Sequence, residues 1–190
     1  MTEKKNKQVS AFSREKWLET ALETLAETRK SKFNLEALIA AMPVTKGSFY
    51  NHFRDRRDFL LALVDFWDRH YTRNVIEGLQ SLPEETDPRQ RLMELVFAID
   101  EMKLNRFELL MRSMTLELPE IVDAVRAVDA ERYRTLNSIF ADLGFKGSEL
   151  DLRVRVFMAM ISQESNLLLE PPDGDWSKQL EMRVDFLTRP

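Results

Sequence analysis

The sequence predicts an all-α fold, and three observations carry that prediction. Apolar residues recur at three- and four-residue spacings almost throughout. No run sustains the period-two alternation of a strand. Only 5 Gly and 7 Pro occur in 190 residues, which disfavours a turn-rich β fold.

About nine helices follow in order. Trp17, Leu18, Ala21, Leu22 and Leu25 form the apolar face of the first, with Ser13 as N-cap. Asn34 caps a second, short helix whose inward positions are Leu35, Leu38, Ile39 and Met42. Pro43 ends it, because proline cannot continue the hydrogen-bond ladder. Thr45 caps a third, KGSFYNHF, and Asp55 a fourth, with Asp58 near the positive end of the dipole. The fourth runs to about residue 80 on Leu60, Val64, Trp67, Tyr71, Val75 and Leu79. LPEETDP is a loop, and its Asp87-Pro88 starts the fifth helix with Gln90 at the third position. A short sixth carries Phe107, Leu110, Met111 and Met114. Pro119 opens a long seventh that ends at Gly144. Ser148 begins an eighth, to about Leu169, and after the PPDGD loop a ninth carries Trp176, Leu180, Val184 and Leu187.

Composition excludes several function classes. With 44% hydrophobic and 32% charged residues the chain holds material for a core and charge to dissolve it. Without Cys, disulfides, thiolate catalysis and iron–sulfur clusters are excluded. His52 and His70 lie eighteen residues apart, with neither HExxH nor HxH spacing, so no metal site is expected. No cofactor is called for. No stretch approaches the roughly 20 apolar residues of a membrane span, and the N-terminus lacks the apolar region of a secretory signal. A cytoplasmic protein without membrane contact is expected. The net charge of −4 is uneven: residues 1–60 carry +4 and residues 61–190 carry −8. Such asymmetry fits an N-terminal part facing a polyanion.

Residues 34–56, NLEALIAAMPVTKGSFYNHFRDR, carry the chemistry. Two short helices joined by a tight turn, preceded by a third helix, make a helix-turn-helix. Phe49 and Phe53, four apart, face inward on its second helix. Thr45, Lys46, Ser48, Tyr50 and Asn51 form a polar face, suited to phosphates and base edges, and Gly47 allows close approach of backbone to DNA. His52 follows, and Arg56 sits at the first turn of the fourth helix, where free N–H groups favour phosphate. A solvated helix face is the bland alternative for the same polar residues.

The stretch VTKGSFYNHFRDRRDFL resembles the DNA-binding signature of the tetracycline-repressor (TetR) family of bacterial regulators. Val44, Thr45, Gly47, Ser48, Phe49, Tyr50, His52, Phe53, Asp55, Arg56, Asp58, Phe59 and Leu60 fall on its pattern. The close match covers about residues 34–67. Pro43 departs from it, standing where the family has a turn glycine. Ile39 and Met42 replace small alanines, and Arg29, Lys30 and Ser31 occupy the place of a further glycine. A left-handed conformation cannot form at Pro43, so the turn is expected to be reshaped or the helices to cross differently.

The resemblance implies DNA contacts at Asn34, Thr45, Lys46, Gly47, Ser48, Tyr50, Asn51, His52 and Arg56. Lys46 is the candidate base reader, on guanine O6 or N7. Tyr50, His52 and Arg56 are candidate phosphate anchors. It further implies a DNA-binding domain over residues 1–55, with a short basic arm of Lys4, Lys5 and Lys7, and a helical ligand-binding and dimerisation domain over 56–190. A small-molecule effector then sits among the fourth to eighth helices. Trp67, Tyr71, Phe97, Phe107, Met111, Met114, Phe140, Phe157 and Met158 are bulky or adaptable candidates for its pocket. The eighth helix is apolar on two sides and must be covered on both. A second copy is the expected cover, through Val156, Met160, Leu167, Trp176, Leu180 and Val184. The expected function is thus a homodimeric repressor released from a palindromic operator by a small molecule. The rivals are a regulator of the same fold run by a partner protein or without a ligand, an all-α enzyme, and a purely structural bundle.

Overall fold

In the computed structural model, described over residues 12–28, 33–163 and 175–189, every regular element is helical. The expected contributions of Lys4, Lys5, Lys7, Arg29, Lys30, Ser31 and Leu167 lie outside the described residues. So does most of the PPDGD loop.

Helix α1 (Arg14–Thr28) is nucleated by Ser13, whose hydroxyl accepts the Lys16 N–H at 3.1 Å. Helix α2 (Leu35–Ala41) is capped by Asn34, which accepts the Ala37 N–H at 3.0 Å. Helix α3 (Lys46–His52) is capped by Thr45, which accepts the Ser48 N–H at 3.1 Å. Each cap satisfies an N–H that a helix start leaves without a partner.

The α2–α3 turn accommodates Pro43 without a left-handed residue. Met42 adopts φ −97° and ψ 153°, the extended conformation that a following proline requires. Its N–H still reaches Leu38 O and Ile39 O, at 3.2 and 3.3 Å.

Helix α4 (Arg56–Asp68), capped by Asp55, continues into a π-helical turn (Arg69–Arg73) and helix α5 (Asn74–Gln80). The expected uninterrupted fourth helix is therefore a rod with one widened turn. Asp68 and Arg73 pair across that turn at 2.7 Å. Their five-residue spacing lies on different faces of an α-helix and on one face of a π-helix.

Helix α6 (Pro88–Glu101) starts as expected, with Asp87 accepting the Arg89 and Gln90 N–H groups and Pro88 at the first position. A 3-10 turn (Leu104–Phe107) leads into α7 (Glu108–Glu117). Helix α8 (Pro119–Asp142) ends at Gly144, φ +98°. There Phe145 N–H bonds Phe140 O and Gly144 N–H bonds Ala141 O. These are the two bonds of a Schellman ending, closed by the Phe140–Phe145 ring contact. Helix α9 (Gly147–Gln163) begins one residue before the expected Ser148, and α10 (Trp176–Thr188) is capped by Asp175.

Two apolar clusters hold these elements. The first joins α1, α2, α3 and α4 to α7 and the first half of α8. At its centre the Trp17 ring meets Phe49, Phe53 and Phe59 edge-on at 5.6–5.8 Å. All four side chains are buried, and burying each stabilises the fold by about 1.5–3 kcal/mol. Phe59 and Leu60 carry this core across residue 55 into α4. The second cluster joins α5, α6, α9 and α10 to the rest of α8. Helix α8 runs through both, with Ile121 and Val125 in one and Leu136 and Phe140 in the other.

Candidate nucleic-acid interface and effector cavity

The packing of α1 to α3 fixes which face of α3 is free. Phe49 and Phe53 are locked onto Trp17, so Lys46, Gly47, Tyr50 and Asn51 point outward and are exposed. A Cβ built at Gly47 meets only Thr45 Oγ1, at 3.8 Å, so the fold itself does not require glycine there. Openness at this position leaves room for close approach by an external partner.

Four of the expected DNA-facing side chains have partners that sequence did not reveal. Lys46 Nζ donates to Glu36 Oε1 of α2 at 3.1 Å, and this pairing holds the ammonium above its ordinary pKa. Ser48 Oγ accepts the Trp17 indole N–H at 3.2 Å, so its hydroxyl also holds α3 on α1. His52 Nε2 lies 2.8 Å from Phe12 O. A carbonyl only accepts, so Nε2 carries the hydrogen and fastens the segment entering α1. Arg56 Nη1 donates to Glu120 Oε1 of α8 at 2.7 Å, and its guanidinium lies over the Phe33 ring. Arg56 thus bridges the helix-turn-helix and the rest of the chain. Two more contacts bridge the same parts: Phe33 N–H donates to Glu117, and Arg106 pairs with Glu23. Asn34 and Thr45 spend their side-chain acceptors on their own helix caps. Arg54 and Arg57, absent from the expected set, are exposed near the α3 C-terminus. Arg54 also donates its N–H to Asp58, which lowers the Asp58 carboxyl below its ordinary value.

A cavity of about 90 Å³ lies between the π-helical turn with α5 and helices α6, α8 and α9. Among the expected pocket residues, Tyr71, Phe157 and Met158 line it. Trp67, Phe107, Met111, Met114 and Phe140 do not; they are buried packing of the two cores. Phe97 packs against the second core. Half of the lining residues are Val, Ile or Leu instead, among them Val75, Ile76 and Leu79 from the rod, Leu95 and Ile99 from α6, Leu136 and Ile161 from α8 and α9.

One corner of the cavity is polar. Glu108, only 3% exposed, takes a hydrogen bond from Arg132 Nη1 at 2.9 Å and another from Arg112 Nε at 3.0 Å. Arg112 also grips both oxygens of Asp129, and these carboxylates raise its pKa further. Arg132 Nε donates to Thr72 Oγ1 at 2.9 Å, and its guanidinium lies 4.7 Å from the Trp67 ring centre. Burial raises the neighbouring Asp68 carboxyl above its ordinary value despite Arg73. The signal for this corner was present in Glu108 and Arg112, four apart, and in Arg132 on an otherwise apolar helix face.

The expected dimer face needs correction. Leu180 is buried and Val184 is 0% exposed, both inside the protomer's second core. A side chain with no surface of its own cannot meet a partner. Met160 and Trp176 are partly buried against the same core, and Arg183 lies over the Trp176 ring. Val156 is exposed, together with Leu152 on α9 and Met182 and Phe186 on α10.

This chain, an N-terminal three-helix module tied by a long rod to a helical body, has the fold of a TetR-family transcriptional regulator of known structure. PfmR of Thermus thermophilus superposes with a TM-score of 0.66 at 16% identity, over 88% of this chain and 96% of that one. AibR, solved in complex with isovaleryl coenzyme A and operator DNA, gives 0.62 at 18% identity, over 94% and 100%. Mycobacterium smegmatis AmtR gives 0.57 at 18% identity, over 98% and 89%. In sequence, the transcriptional regulator AcuR of Cereibacter sphaeroides is 33% identical over 64 residues, which span 34% of this chain and 29% of that protein. No protein-family model matches the chain. Among the described residues no helix is long and apolar enough to cross a membrane.

Proposed function

We propose that the chain is a cytoplasmic, homodimeric DNA-binding transcriptional regulator, a repressor that leaves a palindromic operator when a small molecule fills its cavity. The observation that carries this is the two-sided build of α3. One side, Phe49 and Phe53, is locked onto Trp17; the other offers an ammonium, a phenol and an amide to solvent. Helix α3 enters the major groove, with Lys46 on a guanine edge and Thr45, Gly47, Tyr50 and Asn51 against the neighbouring backbone. To do so Lys46 exchanges Glu36 for the base, an inexpensive step between two exposed side chains. Residues 1–55 form the DNA-binding unit, and residues 56–190 the effector and dimer unit.

Two copies pair through Leu152, Val156, Met182 and Phe186, an apolar set exposed in the single chain. Pairing sets the two α3 helices about 34–36 Å apart, one turn of B-DNA. The rod from Arg56 to Gln80 carries the switch. It lines the cavity with Tyr71, Thr72, Val75 and Ile76, and at its start Arg56 is tied to Glu120. An effector that binds the wrong spacing a hundredfold better supplies about 2.7 kcal/mol against operator binding.

The test is fluorescence anisotropy with random-sequence duplex DNA between 50 and 200 mM salt. The regulator binds with an affinity that falls steeply as salt rises, because phosphate contacts release counterions. Absence of salt-dependent binding to any duplex rejects the proposal.

A further inference from the structure

We infer that the cavity selects an uncharged small amphipathic molecule, with a short aliphatic body and one neutral hydrogen-bonding head, and excludes the matching carboxylate. The inference rests on the effector role proposed above and adds the chemical class.

The first observation is size. About 90 Å³ is smaller than the engineered cavity of about 150 Å³ that holds benzene, so the enclosed body has about six heavy atoms or fewer. Second, half of the lining residues are Val, Ile or Leu, with Val75, Ile76, Leu79, Leu95 and Ile99 among them, which favours a hydrocarbon body.

The polar corner decides the head. Arg132 looks like an anion receptor, yet its charge is already matched. Arg112 and Arg132 face Glu108 and Asp129 in one connected network, two cations against two anions. A ligand carboxylate would add a third anion without a third cation. Glu108 is almost fully buried, so water screens that excess poorly. Hydrogen-bonding capacity remains even though net charge does not. Arg132 uses Nε on Thr72 and Nη1 on Glu108, which leaves Nη2 as a donor. Asn105 also lines the cavity, with an amide that both donates and accepts, and Thr135 donates to Glu131 O while its oxygen can still accept. A carboxamide, ketone or alcohol uses these groups at no cost in charge.

The test compares isobutyramide with isobutyrate, which share one hydrocarbon body and differ in head charge. Their dissociation constants for the full-length protein are measured at pH 7.5, without DNA, by ligand-observed NMR titration. The amide should bind at least tenfold tighter. D129N changes the network's charge by one from a residue that does not line the cavity. It should improve isobutyrate binding at least fivefold and leave the amide within twofold. E108Q makes the same change from the wall; if D129N does not fold, E108Q is read only by the ratio of isobutyrate to amide affinity, which should rise at least fivefold. Equal or tighter binding of isobutyrate to the unaltered protein overturns the inference. So does binding of neither molecule, or an unchanged preference in both variants. Release of DNA by the amide is scored separately. An amide that binds but releases no DNA contradicts the switch and leaves the ligand class standing.

Discussion

Val184 and Phe186 stand two residues apart on α10, yet the same substitution should have opposite consequences at the two sites. Val184 is 0% exposed and packs in the second core; Phe186 is 75% exposed. Val184→Glu places a carboxyl among apolar side chains. Folding must then either bury the charge or protonate it, at a cost of about 4–7 kcal/mol for a shift of 3–5 pKa units. Total stability of a domain this size is about 5–15 kcal/mol, so the variant should melt far below the parent or fail to fold. Phe186→Glu leaves the single chain nearly untouched. In a two-fold interface it removes two rings, each with about three quarters of its surface still to bury. That amounts to about 2–4 kcal/mol for the pair, a weakening of the dimer of about 30- to 1000-fold. Thermal melts and sedimentation velocity at micromolar concentration separate the outcomes. The placement of the interface is refuted if Phe186→Glu stays as dimeric as the parent, or if Val184→Glu folds normally and merely dissociates.

Lys46→Ala should cost about 1–3 kcal/mol at one base pair of each half-site and relax preference there, as read by competition with single-base operator variants. Glu120→Gln should keep the fold, since the Arg56 pair is partly exposed, yet alter the concentration of effector needed to release DNA. Ser48→Ala leaves the Trp17 indole N–H without its acceptor and should lower stability by about 1–2 kcal/mol in urea denaturation. Gly144→Ala meets no neighbouring atom, so its cost of about 1–2 kcal/mol in the same assay should come from the left-handed backbone alone.

Local chemistry was the most legible part of the sequence. Asn34, Thr45, Asp55 and Asp87 announced helix starts, and Gly144 a helix end, because each feature depends on residues within one turn. The inward pair Phe49 and Phe53 was legible for the same reason. Contacts across the chain were not. Nothing local tells that Ser48 meets Trp17, thirty-one residues away, or that Arg56 meets Glu120. Helix α10 carries two apolar sets, Leu180 with Val184 and Met182 with Phe186, and periodicity alone cannot say which faces the protomer's own core. Aromatic and Met residues marked only Tyr71, Phe157 and Met158 of the cavity wall, because half of its lining is aliphatic and its polar corner consists of charges that neutralise one another. The π-helical turn that aims Tyr71 and Thr72 at it has no signature beyond the Asp68–Arg73 spacing.

The central claim, that α3 reads DNA as one of a symmetric pair, is tested most directly by selecting bound sites from a random duplex library with the unaltered protein and with Lys46→Ala side by side. An inverted repeat should emerge, its half-sites about 10–10.5 base pairs apart or a simple multiple, and the Lys46→Ala pool should lose information at one position of each half. Recovery of no enriched sequence, or of a motif without two-fold symmetry that Lys46→Ala selects equally well, would contradict it.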